Sequence, residues 1–489
     1  MAVQAAPGFD LQPSATQIPT ATNYITDFNF LNQYLPDTYE KEFERYGNRT
    51  ISSFLRLVGA EMPSNSDLIK WAEQGRLHTK YTSCGSAAVA AGSLVATFQV
   101  NDNLTPAGST AGALGTPSIA IRVGQTVMIV QNNGTGSNKA VVTAVPTANT
   151  FTVAFYEAAG LVTAGTALGN ADVTVFIYGS EFRKGTVGMQ GSLEADDIIF
   201  DNSPIILKDK YAVSGSDMAQ IGWIEIQTEN GANGYLWYLK SEHETRLRFD
   251  DYLETAMIEA VPAEAGSGAS NAGAGAGDNP LMGNKGSEGI FYVVENRGNV
   301  WGGGNPVALA DFDAIISRLD KQGSIEENVI FLDRQFGFDI DDMLAAQNSY
   351  GAGGTSYGLF DNDEEMALNL GFTGFRRGYD FYKSDWKYLN DPTMRGGLPS
   401  GAGSGRINGL LVPAGSTSVY DQILGKNAKR PFLHVRYRAS ETEDRRYKTW
   451  ITGSAGGAQT SSLDAMEVNF LSERAVCTLG ANNFFLFQE

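Results

Sequence analysis

Histidine serves proton transfer and zinc binding more often than any other side chain, so the three histidines are the first residues to test. They are His78, His243 and His434, in unrelated segments, and none belongs to an HExxH, HxH or Ser/His/Asp pattern. His243 lies between Glu242 and Glu244, where its charge would respond to pH. We expect surface or packing roles for all three.

Clustered carboxylates are the next candidates, because they could bind Ca²⁺ or form a general acid/base pair. The clusters are Asp196, Asp197 and Asp201; Asp339, Asp341 and Asp342; and Asp361, Asp363, Glu364 and Glu365. None has the spacing of a calcium-binding hand, and aspartate at helix starts is expected from the helix dipole alone. We expect helix caps and solvated faces, and an enzyme acting on polysaccharide through a carboxylate pair is kept as a remote alternative.

Glycine-rich stretches can cradle phosphates, but the one candidate here lacks the necessary context. Residues 273–277 read GAGAG, yet no predicted strand precedes them and Asp278-Asn279-Pro280 follows where a helix would be needed. The sequence contains no GxxxxGK[ST] motif, and GxSxG occurs once, as GTSYG at 354–358, beside the glycine turn predicted at 351–354 and without the strand and helix that a nucleophile elbow needs. We therefore predict no catalytic, cofactor-binding or metal-binding residues and a protein that is not an enzyme.

Basic and aromatic residues alternate at 375–379 and 434–438, a pattern that in isolation could stack on and neutralise nucleic acid. The formal net charge of −19 argues against tight nucleic-acid binding by the whole chain. We expect these segments to form salt bridges between subunits, for example with the acidic run 441–444.

The composition describes a large, folded, glycine-rich chain. Its 489 residues exceed the size of one hydrophobic core, so two or three packed units are expected, and 42% hydrophobic residues are enough to build them. The 56 glycines lie in patches between strand-like runs, which predicts many turns. Cys84 and Cys477 indicate neither a disulfide framework nor a zinc site, and no signal peptide or membrane span is evident.

Hydrophobic periodicity predicts the first half of the chain as follows. Residues 1–20 are a poorly ordered arm, and short helices follow from Asp37 and over 66–75. A small antiparallel barrel or sandwich is predicted near 80–180, with strands at 119–123, 126–130 and 151–155. A β-rich segment from Glu181 follows, with strands at 205–211 and 221–226.

The second half is predicted to begin with the longest helix, over 234–261, at about 40 Å. Pro262 and the glycine tract 265–277 end that helix. An α/β pattern then follows: a strand at 289–294, a helix at 309–319, a strand at 328–332, a helix from Phe338, and strands at 379–388, 409–412, 432–438, 447–451 and within 466–487.

This order of arm, β-hairpin, long helix, glycine loop, α/β unit and returning strands resembles the HK97-like major capsid fold. The stretch 286–290, the helix 311–319 and the strand 328–331 look like the segment that enters the A-domain of such proteins. Residues 47–50 (GNRT) and 66–78 look like the N-terminal part of capsid proteins of crAss-like phages. The resemblance implies an α+β capsid fold with an N-arm, E-loop, P-domain with a long spine helix and A-domain, plus an inserted small all-β domain.

On that resemblance the segments are 1–35 (N-terminal arm), 36–79 (P-domain N-terminal helices), 80–180 (inserted β-domain), 181–229 (E-loop region), 230–304 (spine helix and glycine-rich loop), 305–430 (A-domain) and 431–489 (returning strands). The implied function is a subunit that forms hexamers and pentamers of an icosahedral shell around double-stranded DNA. The implied partners are copies of the chain, portal and decoration proteins, and packaged DNA held by weak contacts, with no membrane.

The implied location is the virion, after assembly in the host cytoplasm. The family's isopeptide cross-link is not transferred, because no matching Lys and Asn pair is identified. A tail or head-fibre component is the main alternative, although its extended repeats are not found.

Overall fold

The structure is a computed structural model that describes residues 60–75, 78–86, 94–101, 119–134, 136–158, 168–192, 197–221, 226–227, 233–234, 236–265, 267–270, 283–323, 325–347, 374–399, 405–414, 416–421, 426–457 and 459–489. These residues form two compact units, one between Lys70 and Phe200 and the other from the remainder of the chain. The fold is mixed α+β, as predicted. Within these ranges no helix has the length and apolar character needed to cross a lipid bilayer.

The elements follow one another in this order. The first ten strands are β1 (Ala60–Ser64), β2 (Ile69–Gln74), β3 (Lys80–Ser86), β4 (Val95–Val100), β5 (Gln125–Gln131), β6 (Ser137–Thr147), β7 (Thr150–Phe155), β8 (Leu168–Ser180), β9 (Asp197–Asn202) and β10 (Ile205–Ser214). Then come α1 (Gly215–Ile221), β11 (Ile226–Gln227), β12 (Asn233–Gly234), α2 (Leu236–Glu259), α3 (Ile290–Arg297), β13 (Asn299–Trp301), α4 (Leu309–Gln322), β14 (Glu327–Leu332) and α5 (Arg334–Gln347). The last are β15 (Gly374–Arg377), β16 (Tyr379–Asp385), α6 (Lys387–Asn390), β17 (Ile407–Pro413), β18 (Ser416–Asp421), β19 (Lys426–Pro431), β20 (Leu433–Arg438), β21 (Lys448–Gly453), β22 (Ala465–Thr478) and β23 (Phe485–Gln488).

The unit between Lys70 and Phe200 contains a closed six-stranded barrel in the order β3-β4-β7-β6-β5-β8. Alternation builds it: in β7, Phe151, Val153 and Phe155 point inward and are buried, while the residues between them are partly exposed. The inward rings of Phe98 and Phe151 stack with centroids 5.7 Å apart. The strands predicted at 126–130 and 151–155 are confirmed.

The strand predicted at 119–123 is wrong, because other partners satisfy the backbone there. The Ile119 N–H donates to the Ala148 carbonyl, the Ala120 N–H to the Tyr81 hydroxyl and the Arg122 N–H to the Gln125 side chain. Because these backbone amides do not bond to a neighbouring strand, the segment has no regular strand structure.

Gly124 ends this segment with a φ of 90°, and the ring of Phe182 lies against its backbone. A Cβ on Gly124 would come within 2.4 Å of that ring, whereas Gly134, with a φ of 76°, has open space around it. We therefore expect Gly124→Ala to lower the free energy of unfolding by about 2–3 kcal/mol and Gly134→Ala by only about 1 kcal/mol. Urea unfolding of both variants measures this difference, and equal losses would contradict a steric role for Phe182.

In the other unit, a five-stranded sheet carries the predicted long helix. Strands follow the order β1-β20-β22-β10, with β21 also paired to β22. The 24-residue helix α2, about 36 Å long, lies on one face, where Phe249 contacts Tyr447 and Phe470 at centroid distances of 5.5 and 5.7 Å. The predicted helix over 234–261 is confirmed.

A six-stranded sheet in the order β13-β23-β17-β14-β16-β15 forms the second core of this unit. Helices α4 and α5 pack on one face, where Ile330 is buried, and α3 and α6 pack on the other, where the next residue, Phe331, is buried. Because both faces are covered, β17 is buried along its whole length. The helix predicted at 309–319 and the strand at 328–332 are confirmed, and the helix predicted from Phe338 begins earlier, at Arg334.

Two predicted elements have the wrong type. Residues 66–75 were predicted helical, but the segment contains strand β2, whose burial alternates with a period of two and whose Trp71 ring contacts that of Phe200 at 6.3 Å. Residues 289–294 were predicted to be a strand, but Ile290, Phe291, Val293 and Val294 are buried on one face of helix α3. In both cases tertiary burial overrides local propensity.

Smaller differences concern element ends. The strand predicted at 379–388 stops at Asp385, and α6 follows it. No strand forms in 181–192, and Ile221 closes α1, with residues 222–225 outside the described ranges. The predicted arm, the helix from Asp37 and most of the glycine tract also lie outside the described residues.

Candidate functional site

Among the described residues, the histidines and cysteines do not come together in one site. His78 and His243 are exposed, and His434 is buried with Nδ1 3.3 Å from the Pro431 carbonyl oxygen. Cys84 and Cys477 are buried and are not joined in a disulfide. Among the described residues no group of three or more His, Cys, Asp or Glu side chains could hold a metal ion.

The carboxylates of the 339–342 cluster stabilise the fold. Asp339 accepts hydrogen bonds from Asn305 at 2.6 Å and Gln335 at 3.0 Å, and Asp341 forms a half-buried ion pair with Lys383. The cap of α5 is Asp333, which accepts the Phe336 N–H at 2.7 Å and whose pKa is raised by burial. Asp201 is exposed, while Asp196 and the cluster at 361–365 lie outside the described residues.

The basic and aromatic side chains of segment 375–379 form ion pairs and ring contacts with residues of the same chain. Arg377 donates two hydrogen bonds to Asp313, one at 2.7 Å, and Arg376 lies 3.2 Å from Asp380. The ring of Phe375 is buried against Phe312 at 5.0 Å. These arginines therefore fasten β15 to its own unit.

The salt bridges expected between segment 434–438 and the acidic run 441–444 of another subunit stay a prediction, and within the chain the arginines of this segment have other partners. Arg436 donates to the Pro63 carbonyl at 3.2 Å and Arg438 pairs with Asp67. Glu443 instead accepts from Lys448 at 2.9 Å, and this hydrogen bond lowers the pKa of Glu443.

Sequence reasoning missed a partly buried ion network that joins β1 to β22. Glu61 pairs with Arg446 and lies 3.5 Å from Arg474, whose guanidinium donates to the Ser472 hydroxyl at 2.9 Å and the Arg446 carbonyl at 3.0 Å. Glu473 pairs with Arg445 at 2.6 Å. The adjacent charges Glu473 and Arg474, between the apolar pairs Phe470-Leu471 and Ala475-Val476, were the available signal.

The most distinctive exposed element is the two-stranded ribbon formed by β2 and β9. Ile198 is 40% exposed and its neighbour Ile199 is 65% exposed. Because consecutive residues of a strand point to opposite faces, neither face of β9 is covered at this point. A pair of strands is marginal in water unless a further strand or layer packs on it, so the ribbon has the properties of an incomplete core.

The five-stranded sheet has a second candidate surface on the face opposite α2. Leu471 is buried there and lines a groove of about 360 Å³ together with Lys208, Glu443, Arg445, Lys448 and Trp450, in which Glu443 pairs with Lys448 at 2.9 Å. Trp450 remains 36% exposed and Ile206 is 52% exposed. This face combines cations with apolar groups, a composition typical of association surfaces.

Comparison with known proteins gives structural similarities only. No protein-family model matches the chain, and no curated protein matches its sequence. Similar solved structures include a chain of Microbacterium phage Oxtober96, with a TM-score of 0.35 and 10% identity over 94% of this chain and 96% of that chain. They also include a chain in the capsid of a native GTA particle, with a TM-score of 0.36 and 8% identity over 93% and 96%. A chain of the cyanophage Pam1 capsid has a TM-score of 0.35 and 14% identity over 64% and 82%.

Proposed function

We propose that this chain is a shell-forming protein, the major capsid protein of a tailed phage with an HK97-like fold. The observation that carries the proposal is the β2–β9 ribbon, whose isoleucines are exposed on both faces. A solvent-exposed apolar ribbon of two strands is stabilised when another surface covers it. In a shell, that surface belongs to a second copy of the chain.

The order of elements supports the same proposal. A long helix on one face of a five-stranded sheet is followed by a six-stranded sheet with helices on both faces. This order is the one that the resemblance implies for a P-domain followed by an A-domain. The seven segment boundaries given above, and the reading of the barrel as an insertion into that fold, stay predictions.

The mechanism is additive association. Each copy buries moderate area on several neighbours, so that individually weak contacts close a stable shell of hexamers and pentamers. The formal net charge of −19 would let such a shell enclose double-stranded DNA without binding it tightly. The proposed location is the virion of a crAss-like phage, after assembly in the bacterial cytoplasm with portal and decoration proteins, and the proposed role involves no catalysis.

Replacing both isoleucines of the ribbon by aspartate tests the proposal. We expect Ile198→Asp/Ile199→Asp to abolish closed shells, tubes and capsomer rings seen by electron microscopy, because charge on both faces would have to be buried at the contact. The melting temperature should change by less than about 2 °C, since exposed sites contribute little to folding.

Val307→Asp is the matched control, because Val307 is 62% exposed but lies in a loop before α4. This variant should assemble as the unchanged protein does. Wild-type chains that remain monomeric at every concentration, or ribbon variants that assemble normally, would contradict the proposal.

A further inference from the structure

Two half-exposed tyrosines mark a second surface, on the outer wall of the barrel. Tyr156, at the end of β7, and Tyr178, on β8, are each 49% exposed. In the barrel, β6 and β5 lie between these two strands, and Lys139 on β6 contacts both residues, so the tyrosines lie on one part of the wall. Both belong to a closed barrel with a fully packed interior, which gives them a rigid support.

Contacts within the barrel fix both rings. Lys139 Nζ lies 5.9 Å from the centroid of the Tyr178 ring, and the Tyr156 N–H donates to the Lys139 carbonyl at 3.0 Å. The Tyr156 hydroxyl donates to Glu181, and burial together with this carboxylate raises the pKa of Tyr156 to about 12. Lys139 and Glu181 therefore link the two tyrosines into one surface whose rings lose little freedom on binding.

The surroundings carry hydroxyls together with charged groups of both signs, among them Glu157, which accepts a hydrogen bond from the Lys139 N–H at 3.2 Å. On the neighbouring part of the wall, the exposed side chains of Thr97 and Thr152 share a hydrogen bond of 2.9 Å. Residues 70–200 contain seven Lys or Arg and eight Asp or Glu, whereas the whole chain contains 36 and 55. The unit is nearly neutral in a strongly acidic chain, so its surface is unsuited to binding DNA phosphates through charge.

We infer that this tyrosine surface binds a neutral polysaccharide. A pyranose ring has an apolar C–H face that packs on an aromatic ring and a rim of hydroxyls that need hydrogen-bond partners. Tyr156 and Tyr178 supply two such rings, and Lys139 and Glu181 supply a donor and an acceptor between them. The inference does not depend on whether copies of the chain form a shell.

Affinity electrophoresis of the full chain in gels containing laminarin, amylose, yeast mannan or hydroxyethylcellulose tests it, with heparin as the charged comparison. We expect retardation by at least one neutral polymer and none by heparin. Tyr156→Ala and Tyr178→Ala should each weaken retardation by roughly tenfold. Tyr156→Phe, which keeps the ring, should retain most of the binding, and this variant separates loss of stacking from loss of folding.

Tyr252→Ala is the matched control, because Tyr252 is 50% exposed on α2, in the other unit, and its loss should leave retardation unchanged. Three outcomes would overturn the inference. The first is no retardation in any neutral gel, and the second is equal retardation of the two barrel variants and the wild type. The third is a sedimentation result in which the barrel variants differ from the wild type only in self-association, because the change in gel mobility would then reflect particle size.

Discussion

Replacing Asn202 by leucine is expected to lower the free energy of unfolding by about 3–4 kcal/mol, because its buried amide satisfies several buried partners at once. Its Nδ2 group donates to the carbonyls of Glu288 at 3.0 Å and Val476 at 2.7 Å. Its Oδ1 atom accepts from the Ser287 hydroxyl at 3.0 Å and from the Glu288 and Ser203 N–H groups, both at 2.8 Å. Leucine has a similar volume but leaves these groups without a partner in a site only 4% exposed.

Equilibrium urea unfolding, followed by tryptophan fluorescence, measures the loss. Asn296→Ala is the control, since Asn296 is exposed and makes a local bond of 2.8 Å to the Tyr292 carbonyl. That variant should lose less than about 1 kcal/mol. If Asn202→Leu were as stable as the control, the amide would not hold the end of β9 against β22 and the segment before α3.

Replacing Arg474 by methionine is the second substitution with a large expected effect, about 2–4 kcal/mol. The side chain is only 9% exposed, and its guanidinium contacts Glu61, Ser472 and the Arg446 carbonyl in three directions. Methionine fills the space but leaves these oxygen atoms short of donors. Arg474→Lys should recover little stability, because an ammonium cannot reproduce the planar fork.

Arg438→Met is the comparison for Arg474. Its partner, Asp67, has a side chain that is 74% exposed, so we expect a loss of less than about 1 kcal/mol. Thermal unfolding of Arg474→Met, Glu61→Gln and the double variant Arg474→Met/Glu61→Gln, compared with the wild type in a double-mutant cycle, measures the coupling of Arg474 with Glu61. A coupling near zero would show that Arg446 alone neutralises Glu61.

The elements that the sequence predicts well are those in which local pattern and tertiary burial agree. Helix α2 combines a long run of leucines and charged residues with Pro262 and glycine after it, and β7 alternates without interruption. Residues 290–294 behave differently, because a run of β-branched and aromatic residues is equally compatible with a buried helix. A short apolar run does not reveal which layer will cover it.

The candidate surfaces were less accessible to sequence reasoning than the fold. Ile198 and Ile199 look like an ordinary apolar pair, and their exposure follows from β9 pairing with β2 in a sheet of two strands. Tyr156 and Tyr178 are distant in sequence, and barrel closure places Lys139 and Glu181 between them. Such surfaces depend on long-range pairing, which periodicity does not encode.

Hydrogen exchange of the β9 amides, compared between monomeric and assembled protein, tests most directly whether another copy completes the ribbon. We expect the amides of residues 197–200 to exchange at least tenfold more slowly after assembly, because a covering surface would exclude water from a marginal pair of strands. Equal exchange rates in both states would show that the ribbon stays uncovered, and that outcome would contradict its role in joining copies of the chain.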